Sequence, residues 1–128
     1  MKAFAYLFIL AVIIIILSAT FQWDNPITRL LSSIKYSDKM AHLILIGTLA
    51  YCINYLMNFR VIKRFNQNIL LGTLLVTFII TLEEFSQNWI STRNFDLVDL
   101  LANYIGIAIA SLVIIKTKPN IIKGYRTK

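Results

Sequence analysis

In a chain of 128 residues, 58% hydrophobic side chains and a mean hydropathy of +0.70 exceed what a soluble core of that size can bury, since soluble domains run at about 45–50% apolar. The formal charge of +7 does not point to nucleic acid, because the Lys and Arg residues stand between apolar segments and in the C-terminal tail, a pattern that reads as membrane topology. The single cysteine, Cys52, excludes an intramolecular disulfide, and the chain has no Gly-rich phosphate loop, GxSxG elbow or zinc-spaced Cys/His set.

Taken in order, residues 3–20 are the first predicted span. Ala3 to Ala19 carries no charge and is just long enough, with its flanks, for a hydrocarbon layer of about 30 Å. A cleaved signal peptide competes, on the evidence of Lys2 and Leu17-Ser18-Ala19, but the apolar run exceeds the roughly 7–15 residues of an ordinary h-region. In the connector that follows, Asp24 or Asn25 can cap a helix started by Pro26, with Ile27, Leu30, Leu31 and Ile34 on one face. Such a short interfacial helix would lie on the bilayer with Trp23 and Tyr36 at headgroup level; a plain surface loop is the competing reading.

Residues 39–57 form the second predicted span, with a polar entrance in which Asp38 and His42 are four apart and so share a helix face. The connector Asn58 to Asn68 carries Arg60, Lys63 and Arg64 and no acid. The apolar run Ile69 to Leu82 is short for a span, so the third helix is expected to continue through Glu83, Glu84 and Gln87, giving a span over 69–87. Residues 97–115 make the fourth, with Asp99 and Asn103 in its first two turns and small residues for close packing. The predicted fold is therefore all-α: one polytopic membrane domain, 1–128, of four transmembrane helices with an interfacial helix between the first two.

With four spans, the N-terminus, the second connector and the tail share one side and carry nine of the thirteen Lys and Arg residues. The positive-inside bias then places both termini in the cytoplasm. Asp96, Asp99, Asn103 and Gly106, spaced by three, four and three, form one stripe on the fourth helix. The outer ends of helices two, three and four each bring polar groups, which are costly at a membrane boundary unless they meet water or a partner. His42, Glu84 and Asp38 are the candidates for proton transfer; Arg93, Asp96, Asp99, Asn103 and Gln87 are those for ligand binding. The same groups also have plain roles: Asp38 and Asp96 as helix caps, Arg93 as a lipid anchor, Asn103 as interhelical glue. No metal or cofactor is assigned, although hard-metal binding is a third chemistry such groups offer.

In sequence order, Asp38-Lys39-x-x-His42, Glu84-x-x-Gln87 and Arg93-x-x-Asp96-x-x-Asp99-x-x-x-Asn103-x-x-Gly106 resemble the VanZ-like family of small bacterial membrane proteins. The resemblance covers roughly Asp38 to Gly106 and departs from the family at Ile46, where an aromatic residue is common, and at Ser91-Thr92, in place of Pro-Gly. It implies a place in the bacterial inner (plasma) membrane and a role in the cell envelope; the family's namesake is associated with reduced susceptibility to glycopeptides such as teicoplanin. The expected function is an outward-facing polar pocket that binds or modifies an envelope amphiphile, its partners being membrane lipids or an envelope precursor. The alternatives are a non-enzymatic accessory or structural subunit and, with less support, a small transporter; Gly47, Gly72 and Ala108 would serve association between copies.

Overall fold

The computed structural model describes residues 1–20, 37–64, 67–89 and 95–120; for residues 19, 20, 37, 38, 63, 64 and 67 it describes the backbone alone. Four long helices account for most of them: α1 (Lys2–Thr20), α2 (Ser37–Leu56), α3 (Leu71–Ser86) and α4 (Leu97–Thr117). The third helix stops at Ser86 and passes into a single 3₁₀ turn, Gln87–Trp89, so the helical path does run past the two glutamates as their position required. Two segments, Lys39–Leu56 and Leu97–Thr117, are long and apolar enough to cross a membrane; Lys2–Ser18 is a shorter apolar helix, and α3 has 16 residues. The predicted interfacial helix lies outside the described residues.

The basic connector after α2 folds as a β-ribbon, which its charge pattern does not foretell. Strands β1 (Val61–Arg64) and β2 (Gln67–Leu70) pair antiparallel, with Val61 opposite Leu70 and Ile62 opposite Ile69. A two-stranded ribbon is marginal by itself, and this one is fastened at its base. Phe59, Leu70 and Ile114 form a buried cluster, joined by Tyr51, Tyr55 and Val61, and the Leu71 amide donates to the Arg60 carbonyl at 2.8 Å. The chain leaves α2 through two successive left-handed residues, Asn58 and Phe59, both at φ 53°. Asparagine tolerates that region, but phenylalanine is strained there. The strain is offset by the Phe59 ring, which is buried edge-on between Tyr51 and Tyr55.

Paired contacts give the helix directions. From one end to the other, Lys39 meets Asp96 and Asp99, His42 meets Asn103, and Gly47 meets Gly106, so α2 and α4 run parallel. Thr73 contacts Asn54 and Ser111 at one end of α3, while Glu84 reaches Asp96 at the other, so α3 is antiparallel to both. The common core comprises Val12 from α1, Ile46, Leu49 and Ala50 from α2, Val76 and Ile80 from α3, and Ile107 and Ala110 from α4.

Much of the outer surface is apolar as well. On α3, Gly72, Val76, Ile80 and Glu84 recur every four residues and are buried, whereas Leu74, Leu75, Phe78, Ile79, Leu82 and Phe85 are exposed. Water would not tolerate such a stripe without a partner, and lipid would. In lipid, burial of apolar area no longer drives helices together, and packing and interhelical hydrogen bonds take over. Three such bonds join the helices. Ser111 Oγ donates to the Ile107 carbonyl, which leaves Thr73 to donate to Ser111 at 2.9 Å and to accept from Asn54 Nδ2 at 3.1 Å. Thr81 Oγ1 donates to the Thr77 carbonyl and therefore accepts from the Tyr104 hydroxyl at 2.8 Å.

Candidate functional site

The fourth helix is started by Asp96, whose side chain accepts from the Val98 amide at 2.8 Å while its carbonyl accepts from Asp99 and Leu100. This is an N-cap, the plain role foreseen for it. The capping carboxylate also receives Lys39 Nζ from α2 at 2.8 Å, and the same ammonium donates to Asp99. Asp96 lies before the apolar segment, and Lys39, with help from the Val98 amide, holds its carboxyl below the usual carboxylate range.

One helical turn further along, His42 Nδ1 lies 3.1 Å from Asn103 Oδ1. Because an amide oxygen only accepts, the imidazole donates through Nδ1, and Nε2 then faces Asp99 Oδ2 at 3.9 Å. Asn103 is 1% exposed, so the tautomer is chosen by a group with little freedom to turn. The next turn brings the backbones together. A Cβ placed on Gly106 would meet the Leu43 carbonyl, and one on Gly47 would come within 2.8 Å of the Gly106 oxygen. The stripe predicted on α4 thus reads directly onto α2: Asp96 and Asp99 to Lys39, Asn103 to His42, Gly106 to Leu43 and Gly47.

From α3 comes Glu84, 1% exposed and fully inside the bundle end. Its Oε2 accepts from Gln87 Nε2 at 3.3 Å and its Oε1 from the Asp96 amide at 3.4 Å, both long for bonds to a carboxylate. Gln87 is itself buried and also reaches Glu83 Oε1 at 3.2 Å. The Asp96 amide is the join between the two halves of the cluster, since the same residue binds Lys39 through its side chain.

The structure therefore brings together His42, Glu84, Gln87, Asp96, Asp99 and Asn103. The backbone of Asp38 lies in the first turn of α2; its side chain, and Arg93 altogether, fall outside what is described. Lys39 and Glu83 also join the cluster, although neither was assigned proton transfer or ligand binding from the sequence. Lys39 is three residues before His42, hence on the same face, and it carries the charge opposite to the α4 stripe; that combination was the available signal. Among the described residues no group of three His, Cys, Asp or Glu side chains has the geometry of a metal site. Gly47 and Gly72, candidates for contact between copies, meet their own chain instead: Gly47 at Gly106, and Gly72 beneath the Asn54 amide.

A groove of about 330 Å³ lies along the α2–α4 seam, lined by Gly47, Tyr51, Gly106 and Val113 among others, and its walls are apolar. It shares the two helices of the polar cluster but not its chemistry. No protein-family model, curated protein or solved structure matches this chain.

Proposed function

We propose that the chain is a multi-pass membrane protein of the VanZ-like kind, set in the bacterial plasma membrane with both termini cytoplasmic. In this reading the polar cluster faces outward and receives the head of a cell-envelope amphiphile. The observation that carries it is the convergence of Lys39 and His42, Glu84 and Gln87, and Asp96, Asp99 and Asn103 from three helices, with Glu84, Gln87 and Asn103 buried. Helix capping needs only Asp96. The remaining groups are expensive to hold at the end of an apolar bundle, and cost of that kind is characteristic of functional sites.

The residues suit definite tasks. His42, fixed through Nδ1 by Asn103, presents Nε2 for proton exchange. Glu84 is the buried carboxyl partner. Among the described residues the cluster holds four carboxyl groups, those of Glu83, Glu84, Asp96 and Asp99, against one lysine, which pairs with the two aspartates. That balance favours a donor-rich head, with sugar hydroxyls or a protonated amine. Arg93, a ligand-binding candidate from the sequence, would meet an anionic group of the same ligand. An influence on teicoplanin susceptibility is part of the proposal through the family resemblance alone.

A second reading, a non-enzymatic structural subunit, draws on one observation: the cluster members bond to each other, as an interhelical network would. The two are separated by mass spectrometry of lipids that copurify with wild type, His42→Ala and Glu84→Ala, alongside melting in detergent. The pocket reading expects an amphiphile in the wild type that is lost in Glu84→Ala, with folding retained. Identical lipid profiles combined with a large fall in melting temperature would leave only the structural reading.

A further inference from the structure

Charge is partitioned along the bundle axis. Every acidic residue whose side chain is described, Glu83, Glu84, Asp96 and Asp99, lies where α3 finishes and α4 begins. The opposite end, where α2 and α4 finish, holds Arg60 before the ribbon, Lys63 and Arg64 on β1, and Lys116 and Lys118 at the end of α4. These are not scattered positions. The buried contact of Ile114 with Phe59 and Leu70 binds the last turn of α4 to the base of the ribbon, so both sets of cations occupy one end.

Arg60, Lys116 and Lys118 are exposed. The ribbon adds an apolar element to this basic end: Ile62 is 38% exposed and pairs across the strands with Ile69. Half-buried Tyr51 and Tyr55 stand at its base. Cations beside an exposed aliphatic residue and amphipathic rings suit the boundary between headgroups and acyl chains, where such rings settle and basic residues attract anionic lipid. Nucleic acid would use the cations but has no use for the exposed isoleucine.

We propose that the ribbon and the end of α4 form a docking surface for phospholipids of net negative charge, which steady the ribbon against the membrane face. Lipid phosphates offset the mutual repulsion of the cations at this end, the exposed Arg60, Lys116 and Lys118 among them, and Ile62 enters the interface beside them. The proposal rests on the bundle crossing a bilayer, and it is independent of what the polar cluster at the other end binds.

The test is native mass spectrometry of the full-length protein, released from detergent with phosphatidylglycerol or phosphatidylcholine of identical acyl chains. Each Lys or Arg near an anionic surface is worth about a fivefold gain in partitioning. Wild type is expected to retain phosphatidylglycerol preferentially, and raised salt should weaken the preference. Lys116→Gln with Lys118→Gln should reduce it roughly tenfold or more, and Arg60→Gln with Lys63→Gln and Arg64→Gln likewise. The α4 pair is exposed and leaves the ribbon turn intact, so at least one variant remains folded. His42→Ala should retain the full preference, so that failure here and failure of the polar-cluster reading are told apart. Equal retention of both lipids by wild type, an unchanged preference in both charge variants, or preferential binding of a short single-stranded RNA over phosphatidylglycerol would overturn the proposal. Displacement of the lipid by inorganic phosphate at equal concentration would overturn it too, since a lipid surface requires the acyl chains.

Discussion

Asp96 joins three parts of the molecule through one residue: it caps α4 with its carboxylate, holds Lys39 of α2, and donates its amide to Glu84 of α3. Its carboxyl is held low chiefly by the Lys39 bond, then by the Val98 amide. The linkage therefore has a definite sign. Between that lowered value and the ordinary aspartate value of about 3.9, the unfolded chain binds more protons than the folded one, so stability rises with pH across the window. The stabilisation is complete above about pH 4 and is lost as pH falls through the folded-state value. Melting of the detergent-solubilised protein from about pH 6 to about pH 3 should drop more steeply in wild type than in Asp96→Asn. Parallel profiles would mean that the Lys39 bond contributes nothing to folding. Because the side chain is well exposed, the effect is modest and screened by salt.

Between elements, the α2–α4 seam is set by glycine. Gly106 lies against the Leu43 carbonyl and Gly47 against Gly106, so the two backbones approach more closely than any side chain permits. Polar groups one turn away then fall within bonding distance: His42 reaches Asn103 only because the helices are this near. Gly106→Ala must push the seam apart, at a cost of about 1–3 kcal/mol typical of overpacking. A lowered melting temperature is expected, together with an altered His42 environment readable as a shifted imidazole resonance. Ala108→Leu, on the exposed side of the same helix, should leave both unchanged. A Gly106→Ala protein as stable as wild type would show that the seam is wider than described.

For the molecule as a whole, the opposed ends, one acidic and hydrogen-bonded and one basic, give the proposed orientation a direct check. In a Cys52→Ser background, Asn88→Cys lies on the 3₁₀ turn near the cluster and Lys118→Cys lies past the end of α4. In spheroplasts a membrane-impermeant maleimide should label the first from outside and the second only after lysis. The reverse pattern would turn the proposed pocket toward the cytoplasm and remove its link to envelope substrates.

Much of this is legible in the amino-acid sequence. Helical spacing alone put Asp96, Asp99, Asn103 and Gly106 on one stripe, because the 3.6-residue period is a local property of the backbone. The uninterrupted apolar runs likewise determined where helices form, since a segment in lipid must satisfy its own amides. What only the tertiary structure decided was who partners whom. Lys39 as the ammonium between two aspartates, the imidazole fixed by Asn103, Glu84 meeting the Asp96 amide, and the basic connector folded as a ribbon on Ile114 all depend on helices meeting at particular depths and rotations. No local period encodes those depths. They follow from the close approach of Gly47 and Gly106 and from packing between segments some sixty residues apart in the chain, as Lys39 and Asp99 are.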